Sequence, residues 1–244
     1  SVSQWSDRKL TTRKATQDNF SVQPILINSV PLLNNKSTLS FNGDPSGPQL
    51  LNINTPIVFT KPTLFVVRNY KPTGNLVQYF LSGNANGFFS ESGILGLGFG
   101  TFGEDGGLIA ANNSSLTNNY SIYTSTNNSL YKNNQSLVNS QGATSTISST
   151  ISAIGTRPDV LVLAYKGEIA EFLIFDSILD VNKRNSITAY LRSKYAPPVN
   201  LGKDTVFGSS FTDTLRLSAE NRFVRYLWSN GDTTPSTKVI SSGT

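Results

Sequence analysis

The sequence predicts an all-β chain carrying one helix. Three observations predict it. Short runs rich in Val, Ile, Phe, Tyr and Thr recur through residues 1–196, Gly, Asn and Pro break them repeatedly, and one segment, 180–195, stands out with a helical apolar period. Many short strands at such spacing build a sandwich or a barrel. At 244 residues the chain holds one large domain, or one domain and a fragment of another.

Taken in order, residues 24–27 form a first candidate strand, and 39–41 a second that runs into an Asn42-Gly43 turn. Residues 63–68 (Thr-Leu-Phe-Val-Val-Arg) are the most apolar run and belong at the centre of a sheet. Strands are then expected at 76–81, after the turn residues 72–75, and at 88–89, 94–99 and 108–111. The stretch 112–150 is rich in Asn, Ser and Thr, with weak strands at 120–123, 130–131 and 135–138. Asn133-Asn134 reads as a tight turn between the last two. Residues 160–165 and 169–175 are strong again, joined through Lys166-Gly167.

The helix begins at Asp180, whose carboxylate accepts orphan backbone N–H groups and suits the positive helix end. Ile187, Tyr190, Leu191 and Tyr195 make one apolar stripe, expected to pack on one end or edge of the β structure. Lys183, Arg184, Arg192 and Lys194 lie largely off it, and Pro197-Pro198 stops the helix and opens a linker over 197–200. Beyond it, strands are expected at 214–217 and 223–228, a turn at 229–232, and the start of a third strand at 238–240. Three strands cannot close a sandwich, so 201–244 reads as the beginning of a second β domain.

Composition narrows function. Charged residues are 14% of the chain against about 25% in ordinary soluble proteins, so neutral polar groups solvate this surface. Cys, His and Met are absent. That excludes disulfides, thiolate nucleophiles, zinc-finger spacings and His-dependent triads, and it removes the commonest general base near neutral pH. The lack of Met, even at position 1, reads as a processed or excised piece, and residues 1–10 hold no signal-like apolar stretch. No run approaches the ~18 apolar residues of a membrane span. The net charge is +5, but the cations are dispersed, with Arg8-Lys9, Arg13-Lys14 and Lys183-Arg184 as the pairs, so no nucleic-acid face stands out.

Residues 166–176 (Lys-Gly-Glu-Ile-Ala-Glu-Phe-Leu-Ile-Phe-Asp), then Ile178-Leu179-Asp180, then Tyr190-Leu191-Arg192-Ser193-Lys194-Tyr195 resemble the closing strand and helix of laminin-G-like, concanavalin A-like jelly-roll domains. Trp5-Ser6-Asp7, Ala15-Thr16-Gln17, Gln23-Pro24 and residues 39–43 resemble that family's opening motifs. The resemblance covers 1–196 and implies an antiparallel jelly-roll β-sandwich with a C-terminal helix, lacking one strand at its front. Leu201-Gly202-Lys203-Asp204-Thr205, Leu215-Arg216-Leu217 and residues 226–234 are similar to immunoglobulin-like or polycystic-kidney-disease-like repeats. Such repeats often carry a Cys near the place of Phe207, which is absent here. Together the resemblances imply a long, secreted surface protein of the Bacteroidota, exported by the type IX route.

Candidate chemistry is sparse. Residues 98–103 fit G-x-G-x-x-G, but no helical period follows to hold a pyrophosphate. Ser129-Leu130-Tyr131-Lys132 fits S-x-x-K but reads as strand, and its partner motifs are missing. Glu168 and Glu171, the nearest acidic pair, have odd spacing, which on a regular strand sends them to opposite faces, against the needs of glycoside hydrolysis. No enzyme is expected. The resemblance implies one rim-bound calcium ion, for which Asp44, Glu104 and Asp105 are the candidates. For sugar binding the candidate exposed aromatics are Tyr120, Tyr123 and Tyr131, set among Asn and Ser; Trp5 and Trp228 are expected in cores. The expected function is a non-catalytic, lectin-like or adhesin module binding polysaccharide or another cell-surface component at the cell surface. The alternatives are a spacer domain contacting neighbouring domains of the same long chain and, third, a glycan-degrading enzyme.

Overall fold

The computed structural model describes residues 1–59, 62–71, 78–83, 87–91, 99–102, 108–110, 119–126, 129–137, 149–156, 161–196, 201, 214–219 and 226–239. Two large antiparallel sheets face each other. The eight-stranded sheet contains β1 (Gln4–Ser6), β2 (Lys14–Thr16), β5 (Leu51–Phe59), β7 (Gln78–Ser82), β8 (Gly87–Glu91), β9 (Phe99–Phe102), β10 (Leu108–Ala110) and β14 (Ser149–Ile154), in the order β1-β2-β5-β14-β7-β8-β9-β10. The seven-stranded sheet contains β3 (Ile25–Val30), β4 (Lys36–Asn42), β6 (Thr63–Tyr70), β11 (Ser121–Thr126), β12 (Ser129–Lys132), β13 (Gln135–Ser136) and β15 (Lys166–Phe175), in the order β13-β12-β11-β6-β15-β4-β3. The chain crosses repeatedly between the sheets, as in jelly rolls.

Between the sheets, Leu51, Phe59, Phe80 and Ile151 of one meet Phe41, Leu64, Val66 and Tyr123 of the other in one buried cluster. A second cluster lies on the outer face of the seven-stranded sheet, where Phe65, Val67 and Ile122 pack against Leu191 and Tyr195 of α1 (Val181–Tyr195). The helix therefore covers a sheet face, not an end or edge as its sequence suggested. This third layer explains β6, whose eight residues are all buried: both of its faces are covered. Its expected central place holds, since it is the fourth of seven strands.

Asp180 caps α1 as expected, its Oδ1 accepting the Lys183 N–H at 2.9 Å. The buried arc is rotated from the expected stripe: Thr188, Leu191 and Tyr195 are buried, whereas Tyr190 is 48% exposed. Trp5 packs edge-on against Phe172 at 5.2 Å, joining the core. Gly155 is a position only glycine fits. Its φ is +100°, and a Cβ there would lie 2.5 Å from Phe41 Cε1 and 2.6 Å from the Gln49 carbonyl oxygen.

Other expectations are corrected. β5 and β14 were not foreseen; Asn52, Asn54 and Pro56 interrupt the apolar pattern of β5, and Pro56 falls inside a register shift in its pairing with β14. Residues 161–163 form a 3-10 turn rather than a strand. There the chain crosses between sheets, pinned by the Tyr165 N–H on the Gly155 carbonyl at 2.7 Å and the Lys166 N–H on Gln78 Oε1 at 2.7 Å. In the tail, β16 (Leu215–Ser218) pairs with β17 (Ser236–Val239), and residues 226–228 are not strand. Trp228 donates Nε1–H to the Thr234 carbonyl at 2.8 Å, held half-buried against its own turn rather than in a core. The linker at 197–200, the Gly-rich stretch before residue 99 and residues 240–244 lie outside the described residues.

Candidate binding face

The site is built where the β12–β13 hairpin meets the helix. Asn133 and Asn134 both adopt left-handed backbone, with φ of 51° and 70°, which closes a two-residue turn between paired Lys132 and Gln135. Asn133 Oδ1 accepts the Ile122 N–H at 3.0 Å, and the Asn133 N–H donates to the Ile122 carbonyl at 2.8 Å, tying the turn to β11. The helix completes the face. Asn134 Nδ2 donates to Asn185 Oδ1 at 2.7 Å, and Arg192 Nη2 donates to the Asn133 carbonyl at 2.7 Å. Arg184 lies 4.9 Å from the Tyr131 ring centre, donating to the Tyr131 hydroxyl at 3.3 Å and to the Leu179 carbonyl at 2.8 Å.

Of the three tyrosines singled out from sequence, this face contains Tyr131. Its register partner is Thr124, opposite Phe65, so it stands on the outer, helix-covered face. Tyr123 is one residue out of phase and points between the sheets, 1% exposed, with Arg68 at 3.8 Å over its ring. Its expected exposure is corrected: the alternation of β11 buries it. Lys132 shares that inner side, 5.9 Å from the same ring; burial, then the Arg68 charge, lowers its pKa. Arg68 itself is fully buried, within 5.5 Å of Phe80 in the opposite sheet, and pins the layers together.

Tyr120 is half-buried and donates its hydroxyl to Glu168, which also accepts from Lys71 Nζ at 2.5 Å and Asn69 Nδ2 at 3.3 Å. Burial alone would raise the Glu168 pKa; the Lys71, Tyr120 and Asn69 contacts outweigh it and hold it below the ordinary value. Burial and the neighbouring Glu168 charge raise the Tyr120 pKa far above that of a free phenol. A bulge at Ala170 overturns the parity argument for the acidic pair. Pairing passes from Ile169–Arg68 directly to Glu171–Val67, so Glu168 and Glu171 share the outer face. They have separate partners: Glu171 accepts from Lys194 Nζ at 2.8 Å and the Tyr195 hydroxyl at 2.9 Å.

Asp44 sits in an exposed turn, where its Oδ1 accepts the Ser46 N–H at 2.8 Å. Glu104 and Asp105 lie outside the described residues. Among the described residues no group of three or more acidic side chains converges on one point. Along the opposite flank of α1 runs an open cleft of about 370 Å³, floored by Phe175, Leu179 and Ile187 and rimmed by Asn182, Lys183 and Ser186. No described helix is long and apolar enough to cross a membrane.

Arg184, Arg192, Asn134 and Asn185 were missed as site residues by sequence reasoning. Lys183-Arg184 read as a solvated pair, and Tyr131 lies 53 residues from Arg184. No protein-family model matches the chain, and no curated protein matches it. Among solved structures, the binding domain of Paraclostridial mosquitocidal protein 1 is similar over 70% of this chain and 47% of its own, at 13% identity and a TM-score of 0.48. The binding domain of botulinum neurotoxin serotype D/C is similar over 78% and 52%, at 15% identity and a TM-score of 0.43. A mutant GH54 α-L-arabinofuranosidase is similar over 94% and 54%, at 13% identity and a TM-score of 0.34. The chain spans about half the length of the structures it matches. Likenesses this distant transfer neither residues nor activity.

Proposed function

We propose that this chain is a non-catalytic binding module for a polysaccharide or another cell-surface component, within a secreted surface protein whose next β domain begins after residue 200. The observation that carries the reading is the Tyr131–Arg184 stack beside the Asn134–Asn185 carboxamide pair. Aromatic, guanidinium and amide groups are fixed side by side on a rigid hairpin and helix. Saccharide recognition needs such groups: a ring edge or face for the apolar side of a sugar, and donors and acceptors for its hydroxyls. Prior ordering lowers the entropy lost on binding.

The test is a glycan array probed with the chain and with Tyr131→Ala, with and without calcium. Binding to a defined glycan that Tyr131→Ala abolishes supports the module; silence across the array ends it. Loss that occurs only when calcium is withdrawn would implicate the rim loops of Asp44, Glu104 and Asp105. Tyr123→Ala is unsuitable as a probe, because it empties the core.

A second reading, the spacer domain, has its own observation. Among the described residues β3 is one edge of the seven-stranded sheet, and Ile25 and Leu26 on it are 52% and 45% exposed, as is Phe20 at 76%. Apolar side chains on an open edge suit contact with a neighbouring domain.

A further inference from the structure

We infer that the ligand of the hairpin–helix face is an acidic polysaccharide, its carboxylate or sulfate groups taken by Arg184 and Arg192. The inference rests on the binding-module reading and adds the charge of the ligand. Residues 180–195 carry Lys183, Arg184, Arg192 and Lys194 against the single carboxylate of Asp180, and the hairpin over 129–137 holds no acid; its one lysine, Lys132, is turned to the inner side and adds nothing to this face. The two lysines of the helix are engaged, Lys194 with Glu171 at 2.8 Å and Lys183 with Asp180 at 3.8 Å. The two arginines are engaged differently. Arg184 donates to a carbonyl and a phenol, and Arg192 donates to a carbonyl. These are neutral acceptors, so neither charge is neutralised by them.

A guanidinium has five N–H donors. The contacts above use two of them on Arg184 and one on Arg192, leaving donors at both for the paired bonds that carboxylate and sulfate accept. These neutral contacts hold each side chain in place without cancelling its charge; the one acid of the helix, Asp180, acts on both Lys183 and Arg184 and is outnumbered by them. The arginines are eight residues apart on one helix, about 12 Å along its axis, and they reach the hairpin at Tyr131 and Asn133 respectively. One small anion cannot meet both; an extended chain bearing repeated charges can. Between them lie Asn134 and Asn185, which suit hydroxyls. A nucleic-acid face would need a denser cationic track along the phosphates.

The test measures binding of the 244-residue chain to polygalacturonate, dextran sulfate, neutral dextran and a short DNA duplex, at about 50 mM and about 500 mM salt. Polygalacturonate and dextran sulfate separate the carboxylate from the sulfate source. We expect at least one acidic polymer to bind and dextran not to. Affinity should fall about tenfold or more at the higher salt. Arg184→Ala and Arg192→Ala should each weaken binding about fivefold or more. Lys36→Ala, which removes one exposed cation from β4, should leave it unchanged. Circular dichroism of each variant shows that it is folded. Acidic-polymer binding that both arginine variants retain overturns the assignment. So does DNA binding as tight as polysaccharide binding through the same arginines. Salt-insensitive binding of dextran, or of a neutral glycan on the array, overturns the acidic ligand while leaving the binding module standing. Silence on every acidic and neutral glycan ends both.

Discussion

Arg68 lies 3.8 Å over the ring of Tyr123 on the inner face of the seven-stranded sheet, and Arg184 lies 4.9 Å over the ring of Tyr131 on its outer face. The two tyrosines stand on neighbouring strands and differ by one step of the strand alternation. The residue types are the same, but the surroundings are not. Arg68 is fully buried, with Tyr70 and Phe80 within about 6 Å of it as well. In that low dielectric a cation over an aromatic ring is worth about 2 kcal/mol or more, and losing a buried charge leaves its surroundings repacked around a void. Arg184 is half-buried and solvent-screened, where the same contact is worth about 0.5–1 kcal/mol. The inner stack is part of the architecture; the outer one leaves its cation available to a ligand.

The largest expected effect tests the inner half of that contrast. Arg68→Ala should lower unfolding stability by about 3–5 kcal/mol, combining a cavity between the sheets with the lost stack. Urea unfolding followed by tyrosine and tryptophan fluorescence measures it. A loss under about 1 kcal/mol would mean that Arg68 does not pin the sheets.

Next in size is the Tyr120–Glu168 contact, polar like the outer stack, with a half-buried donor and a buried acceptor. Tyr120→Phe should cost about 1.5–3 kcal/mol at neutral pH, the worth of a hydrogen bond to a buried charged acceptor. The pH dependence follows from the depressed Glu168 pKa. Its contribution is fully present above the ordinary value of 4.5 and is lost as pH falls through the lower, folded value. The cost of Tyr120→Phe should therefore shrink in acid, as a protonated Glu168 becomes a weaker acceptor. Urea unfolding of both proteins across a pH series below 4.5, with the Glu168 titration followed by NMR, measures this, and a cost that stays constant while Glu168 protonates would show that its charge plays no part.

What the sequence disclosed follows how local each cause is. The Asp180 cap and the Asn133-Asn134 turn are set by residues within a few positions, and both were legible. The strand at Thr63–Tyr70 was legible because the most apolar run of the chain needs cover on both faces. β5 and β14 were hidden because Asn and Pro interrupt one and Ser and Thr dilute the other; each is stabilised by its neighbour in the sheet rather than by its own pattern. The Ala170 bulge was equally hidden, yet it decides that Glu168 and Glu171 share a face. Of the binding face, Tyr131 was visible as an aromatic among Asn and Ser. Its arginine partner was not, because only the docking of α1 onto the sheet face brings the two together.

The smallest expected effect bears on the outer half of the contrast, and its smallness is the point. Arg184→Ala should cost less than about 1 kcal/mol in stability. The side chain gives up one hydrogen bond to the Leu179 carbonyl, one long bond to Tyr131 and a solvent-screened stack. The Asn134–Asn185 and Arg192–Asn133 bonds continue to hold the hairpin against the helix. Urea unfolding run beside Arg68→Ala gives the comparison directly. If Arg184→Ala is as damaging as Arg68→Ala, the outer stack is structural too, and any binding lost in that variant would report unfolding rather than recognition. If stability is nearly unchanged, a binding loss in the same variant belongs to the ligand contact, because the surface that presents it is still intact.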